Sequence, residues 1–316
     1  MIEFLYSAIR LGTIFLLGST GEILTEKSGH LNLGIPGIMC VGAATGCLAD
    51  AIYVNSLPSP DMINGFVAVI IALLASFIGS MLMGAIYCFL TVTLRCNQNV
   101  TGLVLTTFGV GVTTYIIQNI DSFSRASKFF TKHLPIGDKL GWFGRLFLSY
   151  GFMVYMAIVI ALICSYVLNK TKVGLHLRAV GENPATADAM GINVSRYRYV
   201  ATCVGSGIAG LGGLFYIMDY LNGMWEYNID DMGWLAVALV IFAVWRPNVS
   251  LVGSILFGAL FIVHNYIPNL SMSDQELFKM APYVVTLVVL IVISMRDKKE
   301  NQPPASLGIS YFREDR

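Results

Sequence analysis

The sequence predicts an all-α fold, a polytopic membrane helix bundle of about nine spans with one short helix in a polar connection. Three observations predict it. Hydrophobic residues make up 56% of the 316 and charged residues only 12%, about half the roughly 25% of an ordinary soluble domain. The mean hydropathy is +0.69. Apolar runs of bilayer length recur along the chain, and a run of about 17–25 residues suits a helix crossing a hydrocarbon core of about 30 Å. Backbone amides in lipid must be bonded within their own segment, which makes helices the default.

Taken in order, the first span is expected near 4–24, in "FLYSAIRLGTIFLLGSTGEIL". It has no basic region before it and no A-x-A-like site after it, so it reads as a retained span rather than a secretory signal. The second, near 33–52, holds Pro36 and neighbouring glycines, where helical regularity is at risk. The run 65–93 is long enough for one tilted helix or for a helix plus a re-entrant piece. Further spans fall near 100–118, 150–168, 199–220, 230–245, 249–267 and 280–295, so the total lies between eight and ten. Residues 1–295 form one membrane domain with a polar connection at 169–198, and 296–316, with "QPPASLG", read as a solvated tail. There is no fixed-period repeat.

Lys and Arg set the orientation. If the tail with Arg296, Lys298 and Lys299 is cytoplasmic, Lys27, Arg95, the 169–198 connection and Arg246 share its side, which then holds 13 of the 20 basic residues. The opposing argument is the basic loop 119–149. A net charge of +1 gives no global field to recruit nucleic acid. The cysteines (Cys40, Cys47, Cys88, Cys96, Cys164, Cys203) lie in or beside apolar runs with no CxxC and read as small buried side chains. His30, His133, His176 and His264 fall in separate regions with no metal-ligand spacing.

The longest polar interruption is "GLHLRAVGENPATADAMGINVSRYR", 174–198. Asn183 before Pro184 is a helix start, because Asn caps free N–H groups and proline is pre-set for the first helical position. Gly191 supplies the stop, taking a left-handed conformation at least cost. Between them lie about two turns of helix with small sides (Ala185, Ala187, Ala189) and one soft apolar knob, Met190, followed by Ile192. A rod this short must be held by contacts. It either packs on its own domain or fits a groove of another protein, with Arg178, Glu182 and Asp188 setting polar register at the rim.

This stretch resembles the cytoplasmic coupling segment of ABC importer permeases in the branched-chain amino acid, ribose and nucleoside group. "GEILTEKSGHLNLGIPGIMCVGA" (21–43) looks like that group's segment after the first helix, and "NQNVTGLVLTTFGVG" (97–111) is similar to the second permease of nucleoside-type systems. "GWLAVALVIFAVWRPNVSLVGSILFGALF" (233–261) matches the late helix pair joined by a Trp-x-Pro turn. The chain departs from the group at Asp231 and Met232, at Pro36, and in the basic aromatic loop.

The resemblance implies a non-catalytic membrane subunit of the cell membrane with a cytoplasmic C-terminus. ATP and Mg would be bound by a separate cytoplasmic ATPase, and the chain has no G-x-x-x-x-G-K-[ST] of its own. The other implied partners are a second, non-identical permease subunit and an extracytoplasmic substrate-binding protein. Coupling would fall to Arg178, Gly181, Glu182, Asn183, Pro184, Ala187, Asp188, Gly191 and Ile192. Substrate-path candidates are Asn32, Asn97, Gln98, Thr106 and Thr107, whose neutral donors and acceptors suit a ribose or base edge. Other polar residues in or near spans are Arg10, Glu22, Gln118 and Asn119. Asp219, Glu226, Asp230 and Asp231 read either as a solvated outer loop or as a docking rim for the binding protein. "VGSGIAGLGG" (204–213) offers small residues for close helix approach.

The implied cargo is a nucleoside, with a ribose-like sugar as the alternative. An ion-coupled secondary transporter would need ionisable groups in mid-span, of which Arg10 and Glu22 are the candidates. A membrane enzyme would need a nucleophile, base or metal cluster, and no spacing suggests one.

Overall fold

In a computed structural model the described residues are 2–59, 62–120, 122–132, 141–296 and 302–312; His133, Lys298 and Lys299 lie outside them. Among the described residues the regular structure is helical, with no strand, and eight helices are long and apolar enough to cross a membrane. They are α1 (Ile2–Glu26), α2 (Ile35–Asn55), α3 (Gly65–Cys88, continued by a π turn to Thr93) and α4 (Gln98–Ile117). After α5 (Ser127–Phe130) and α6 (Gly141–Phe147) follow α7 (Phe152–Lys170), α8 (Lys172–Glu182), α9 (Pro184–Ala189) and α10 (Val194–Phe215, continued by a π turn to Tyr220). The chain then makes α11 (Ile229–Phe242), α12 (Pro247–Ile262), α13 (Met272–Lys279) and α14 (Ala281–Arg296), and the last two together form the eighth long segment.

All nine expected spans are present as helices, but α11 has only 14 residues. At 1.5 Å per residue that is about 21 Å, short of the hydrocarbon thickness. Two local expectations are resolved. Pro36 does not break α2; it occupies the first turn, where its missing N–H costs nothing. The 65–93 run is one helix whose last five residues widen into a π turn.

Starts are set by side-chain caps: Asn64 accepts from Phe66 N, Asn97 from Val100 N, Asn193 from Arg196 N, and Ser271 and Asp274 form a capping box. The centre is built from α1, α2 and α10, with α14 the most exposed long segment. Small residues let these backbones meet. A Cβ on Gly21 would lie 2.2 Å from the Gly205 carbonyl oxygen, and one on Gly42 would lie 2.4 Å from the Gly210 Cα. The "VGSGIAGLGG" stripe therefore seats α10 against α1 and α2. Because Gly21 meets Gly205 while Arg10 meets Asp219, α1 and α10 run antiparallel.

Candidate functional site

One end of the bundle gathers the polar interruption, the connection 27–34 and the tail. Thr171 caps α8 by accepting from Gly174 N at 3.2 Å, and α8 buries Leu177, Val180 and Gly181. This helix was not expected; its signals were Thr171 followed by apolar residues at helical spacing. Asn183 then ends α8 and caps α9, accepting from Thr186 N at 3.0 Å, with Pro184 in the first turn.

At the other end of α9 Gly191 has φ +83°. Its N–H donates to Asp188 O (2.9 Å), and Ile192 N–H donates to Ala187 O (3.0 Å). That is the paired bonding of a Schellman stop, with the usual apolar contact supplied as Ile192 packs on the Val180, Ala187 and Val194 cluster. Both ends of the rod are thus fixed as the sequence indicated.

The rod leaves Met190 79% exposed beside a cleft of about 870 Å³ between α8 and α10, lined by Leu24, Val173, Leu177, Ile192, Tyr197 and Val200 with Arg196 and His176 at its edge. His176 Nδ1 and the Tyr197 hydroxyl lie 2.9 Å apart. Of the nine coupling candidates, Gly181 and Ala187 are buried, Arg178, Pro184, Asp188 and Ile192 half-buried, and Glu182, Asn183 and Gly191 exposed. Gly181 abuts the connection after α1: a Cβ there would lie 2.4 Å from Lys27 O. Burial pushes the Lys27 ammonium pKa down, against the pull of nearby Glu182. The end of α8 is therefore in contact with the end of α1.

From Glu26 the chain turns back into the bundle as buried non-helical backbone, which is tolerated at this depth because protein groups satisfy it. Asn32 N–H donates to Glu22 Oε1 (3.0 Å), and Leu31 N–H to Gln98 Oε1 (2.8 Å). The Thr106 hydroxyl donates to Leu33 O (3.0 Å), and the Tyr87 hydroxyl to Leu31 O. His30 bridges Thr202 (2.9 Å) and Thr91 (2.7 Å); burial, with a smaller contribution from Arg198, pushes its pKa down to about 3 and keeps the ring neutral. Trp245, in the turn before Pro247 with φ +54°, donates to the Glu26 carboxylate.

The path candidates separate on this geometry. Asn32, Gln98 and Thr106 meet around 31–34, and the amide groups Asn32 Nδ2 and Gln98 Nε2 are buried with no partner. Asn97 caps α4, and Thr107 is exposed and bonded to its own helix at Leu103 O. Glu22 joins the same buried group; Gln118 and Asn119 are exposed beyond α4.

At the opposite end Arg10 donates to Asp219 Oδ1 (3.0 Å) and Asp219 O (2.5 Å), flanked by the Tyr6 and Tyr220 rings. Asp219 is therefore no part of a solvated loop; it is 1% exposed in the π turn. Asp230 and Asp231 sit in the first turn of α11, and Glu226 lies 3.4 Å from the Tyr216 hydroxyl.

The tail departs most from expectation. Residues 302–312 are not a free solvated end but lie along α8, α9 and α10. Ser306 N–H (3.0 Å) and Oγ–H (2.6 Å) both donate to Gly181 O, and the Tyr311 hydroxyl donates to Asp188 Oδ2 (2.8 Å).

A multi-pass helical bundle with a doubly capped rod at one end and a buried re-entrant connection behind it has the build of a membrane permease. The chain belongs to the family described as branched-chain amino acid transport system / permease component, which matches residues 4–293. It is similar to the nucleoside ABC transporter permease protein NupC of Lactococcus lactis (30% identical, covering 95% of this chain and 94% of that one). It is also similar to the guanosine ABC transporter permease protein NupQ of Bacillus subtilis (29%; 94% and 92%). A protein assigned as a glucose ABC transporter permease, TsgC13 of Haloferax volcanii, is 30% identical over 98% and 97% of the two chains. No solved structure matches the chain.

Proposed function

We propose that this chain is a membrane-spanning permease subunit of an ABC importer that carries nucleosides, with force delivered by a separate ATPase at α9. The carrying observation is the rod itself. Its two caps are complete, its outer knob Met190 is exposed beside an apolar cleft, and its base contacts the end of α1 through Gly181. A lever needs a rigid end that a partner can grip and a base that moves other helices. The basic residues Lys27, Arg95, Lys170, Lys172, Arg178, Arg196 and Arg246 cluster at this end, which favours its placement in the cytoplasm. The partners are then a cytoplasmic ATPase holding ATP and Mg, a non-identical second permease, and an extracytoplasmic binding protein. Asn32 and Gln98 are the path residues with amide groups left to offer to a ribose or base. The similarity to NupC and NupQ favours a nucleoside; TsgC13 keeps a simple sugar as the second reading.

The test is reconstitution of the importer with its ATPase and binding protein in proteoliposomes. Labelled nucleoside uptake should require all components, and Asn183→Leu should leave insertion intact while ATP hydrolysis continues with reduced uptake. Uptake by this chain without an ATPase, or unchanged coupling in Asn183→Leu, overturns the reading.

A further inference from the structure

We infer that residues 302–312 are a positioning strap for the coupling segment, holding α8 and α9 as one body against α10 and the 27–31 connection. The inference rests on the coupling reading above and goes beyond it by assigning the tail.

The physical need is clear at Gly181. It lies in the last turn of α8, where carbonyls have no helical partner. Asn183 cannot supply one, because its N–H already donates to Ala179 O and its side chain caps α9. The tail does so from more than a hundred residues away, with the Ser306 backbone and hydroxyl both on Gly181 O. Ser306 is only 6% exposed, which makes these bonds more than a surface graze. Gly29 leaves the room: a Cβ there would lie 2.3 Å from Ser306 Oγ.

Beyond Ser306 the strap turns at Gly308 (φ +77°) and reaches three further elements. Arg198 of α10 donates to Ile309 O (3.3 Å). Tyr311 packs on the Val180, Ala187 and Val194 cluster while its hydroxyl takes Asp188 of α9. The Arg95 guanidinium stands 4.7 Å from the Phe312 ring centroid. Leu307 adds an apolar anchor against the group containing Ile23, Leu177 and Trp245.

The consequence is mechanical. α8 and α9 meet at the single residue Asn183, whose extended backbone (φ −147°, ψ 93°) would by itself be a hinge. A push on α9 would then be absorbed at that hinge. With Ser306 bonded on one side of it and Tyr311 on the other, the hinge is bridged. The push passes instead into α10 and the end of α1. Ser306 and Tyr311 are thus positioning residues, acting through α8 and α9.

The experiment uses the complete importer in proteoliposomes and reads nucleoside imported per ATP hydrolysed, together with hydrogen exchange of the Ile192 amide. Losing a hydrogen bond to a carboxylate shifts a docked equilibrium by roughly tenfold, so Tyr311→Phe should accelerate Ile192 exchange by about that factor and lower the transport ratio. Asp188→Ala removes that bond along with the carboxylate's other contacts, so the double variant should be no worse than Asp188→Ala alone. Asp188→Asn keeps an acceptor and should be the mildest. Ser306→Ala tests the other side of the hinge, and a chain ending at 301 should show the full loss where it still inserts.

Uncoupling by Asn183→Leu with normal coupling in Tyr311→Phe and Ser306→Ala overturns the strap and leaves the coupling reading standing. Additive effects of Tyr311→Phe and Asp188→Ala also overturn it. Normal coupling in all of these variants overturns both readings.

Discussion

Gly191 isolates the rod's stop from every other contact, so a substitution series there tests the rod alone. Its φ is +83°, and a Cβ added to it meets nothing within 4 Å. Side-chain collision therefore plays no part, and only backbone preference remains. Placing an L-residue in the left-handed region costs roughly 1–2 kcal/mol, least for Asn and more for β-branched side chains. That lowers the population of the capped rod about 5–30-fold for Ala. Proline is excluded outright, since its φ is fixed near −65° and it lacks the N–H that Gly191 donates to Asp188 O. The expected order of damage is Asn, then Ala, then Val, then Pro. Two measurements read it: hydrogen exchange of Ile192, whose N–H closes the motif on Ala187 O, and nucleoside uptake per ATP in proteoliposomes. Both should follow the same order while membrane insertion stays constant. An alanine variant indistinguishable from the parent, or an asparagine variant worse than valine, would refute the claim that the left-handed cap sets the lever.

Three further outcomes follow from buried groups. Between pH 6.5, the ordinary value for histidine, and about 3, the unfolded chain takes up a proton that folded His30 refuses; the contribution of His30 to stability should therefore fall on acidification by up to about 1.4 kcal/mol per pH unit, read in detergent melts as the difference in pH slope between the parent and His30→Gln. Removing Arg10 alone leaves Asp219, 1% exposed, without its partner and should cost about 3–5 kcal/mol, whereas Arg10→Met with Asp219→Asn should recover most of the melting temperature; equal losses in both would argue against a buried pair. Gly21→Ala drives a methyl to 2.2 Å from the Gly205 carbonyl and should destabilise by about 1–3 kcal/mol or more, while Gly111→Ala, with open space around it, should be neutral in the same melt.

What the sequence made legible was what is encoded within a few residues. Asn183-Pro184 and Gly191 mark the two ends of α9 because capping is a contact between near neighbours, and bilayer-length apolar runs mark the spans because lipid is a uniform solvent. The short α11 was placed correctly but its length was not: the residues at 243–245 are as apolar as a helix interior. The turn there instead depends on Trp245 reaching Glu26, more than two hundred positions earlier. The same limit explains the polar residues. Asn32, Asn97, Gln98, Thr106 and Thr107 look alike in composition, yet three meet around 31–34 and two do not, a difference set by which face of α4 meets the connection.

The tail shows the limit most sharply and points to what such a chain must solve. A segment reading "QPPASLG" has too little apolar surface to order itself, and on composition alone it is solvated. Order comes from the other side: α8 ends at a carbonyl without a partner, Gly29 and Gly181 leave a slot with no side chains, and the tail brings one serine into it. A lever built from two short helices is too weak to hold its own shape, since neither has the length to be stable alone. Its stiffness must be borrowed from distant chain, and here the borrowed parts are the end of α1, the first turns of α10 and the strap. On the proposed coupling role, force transfer would be a property of that whole polar end, so substitutions at Gly181, Ser306 or Tyr311 should matter as much as those on the rod a partner would grip.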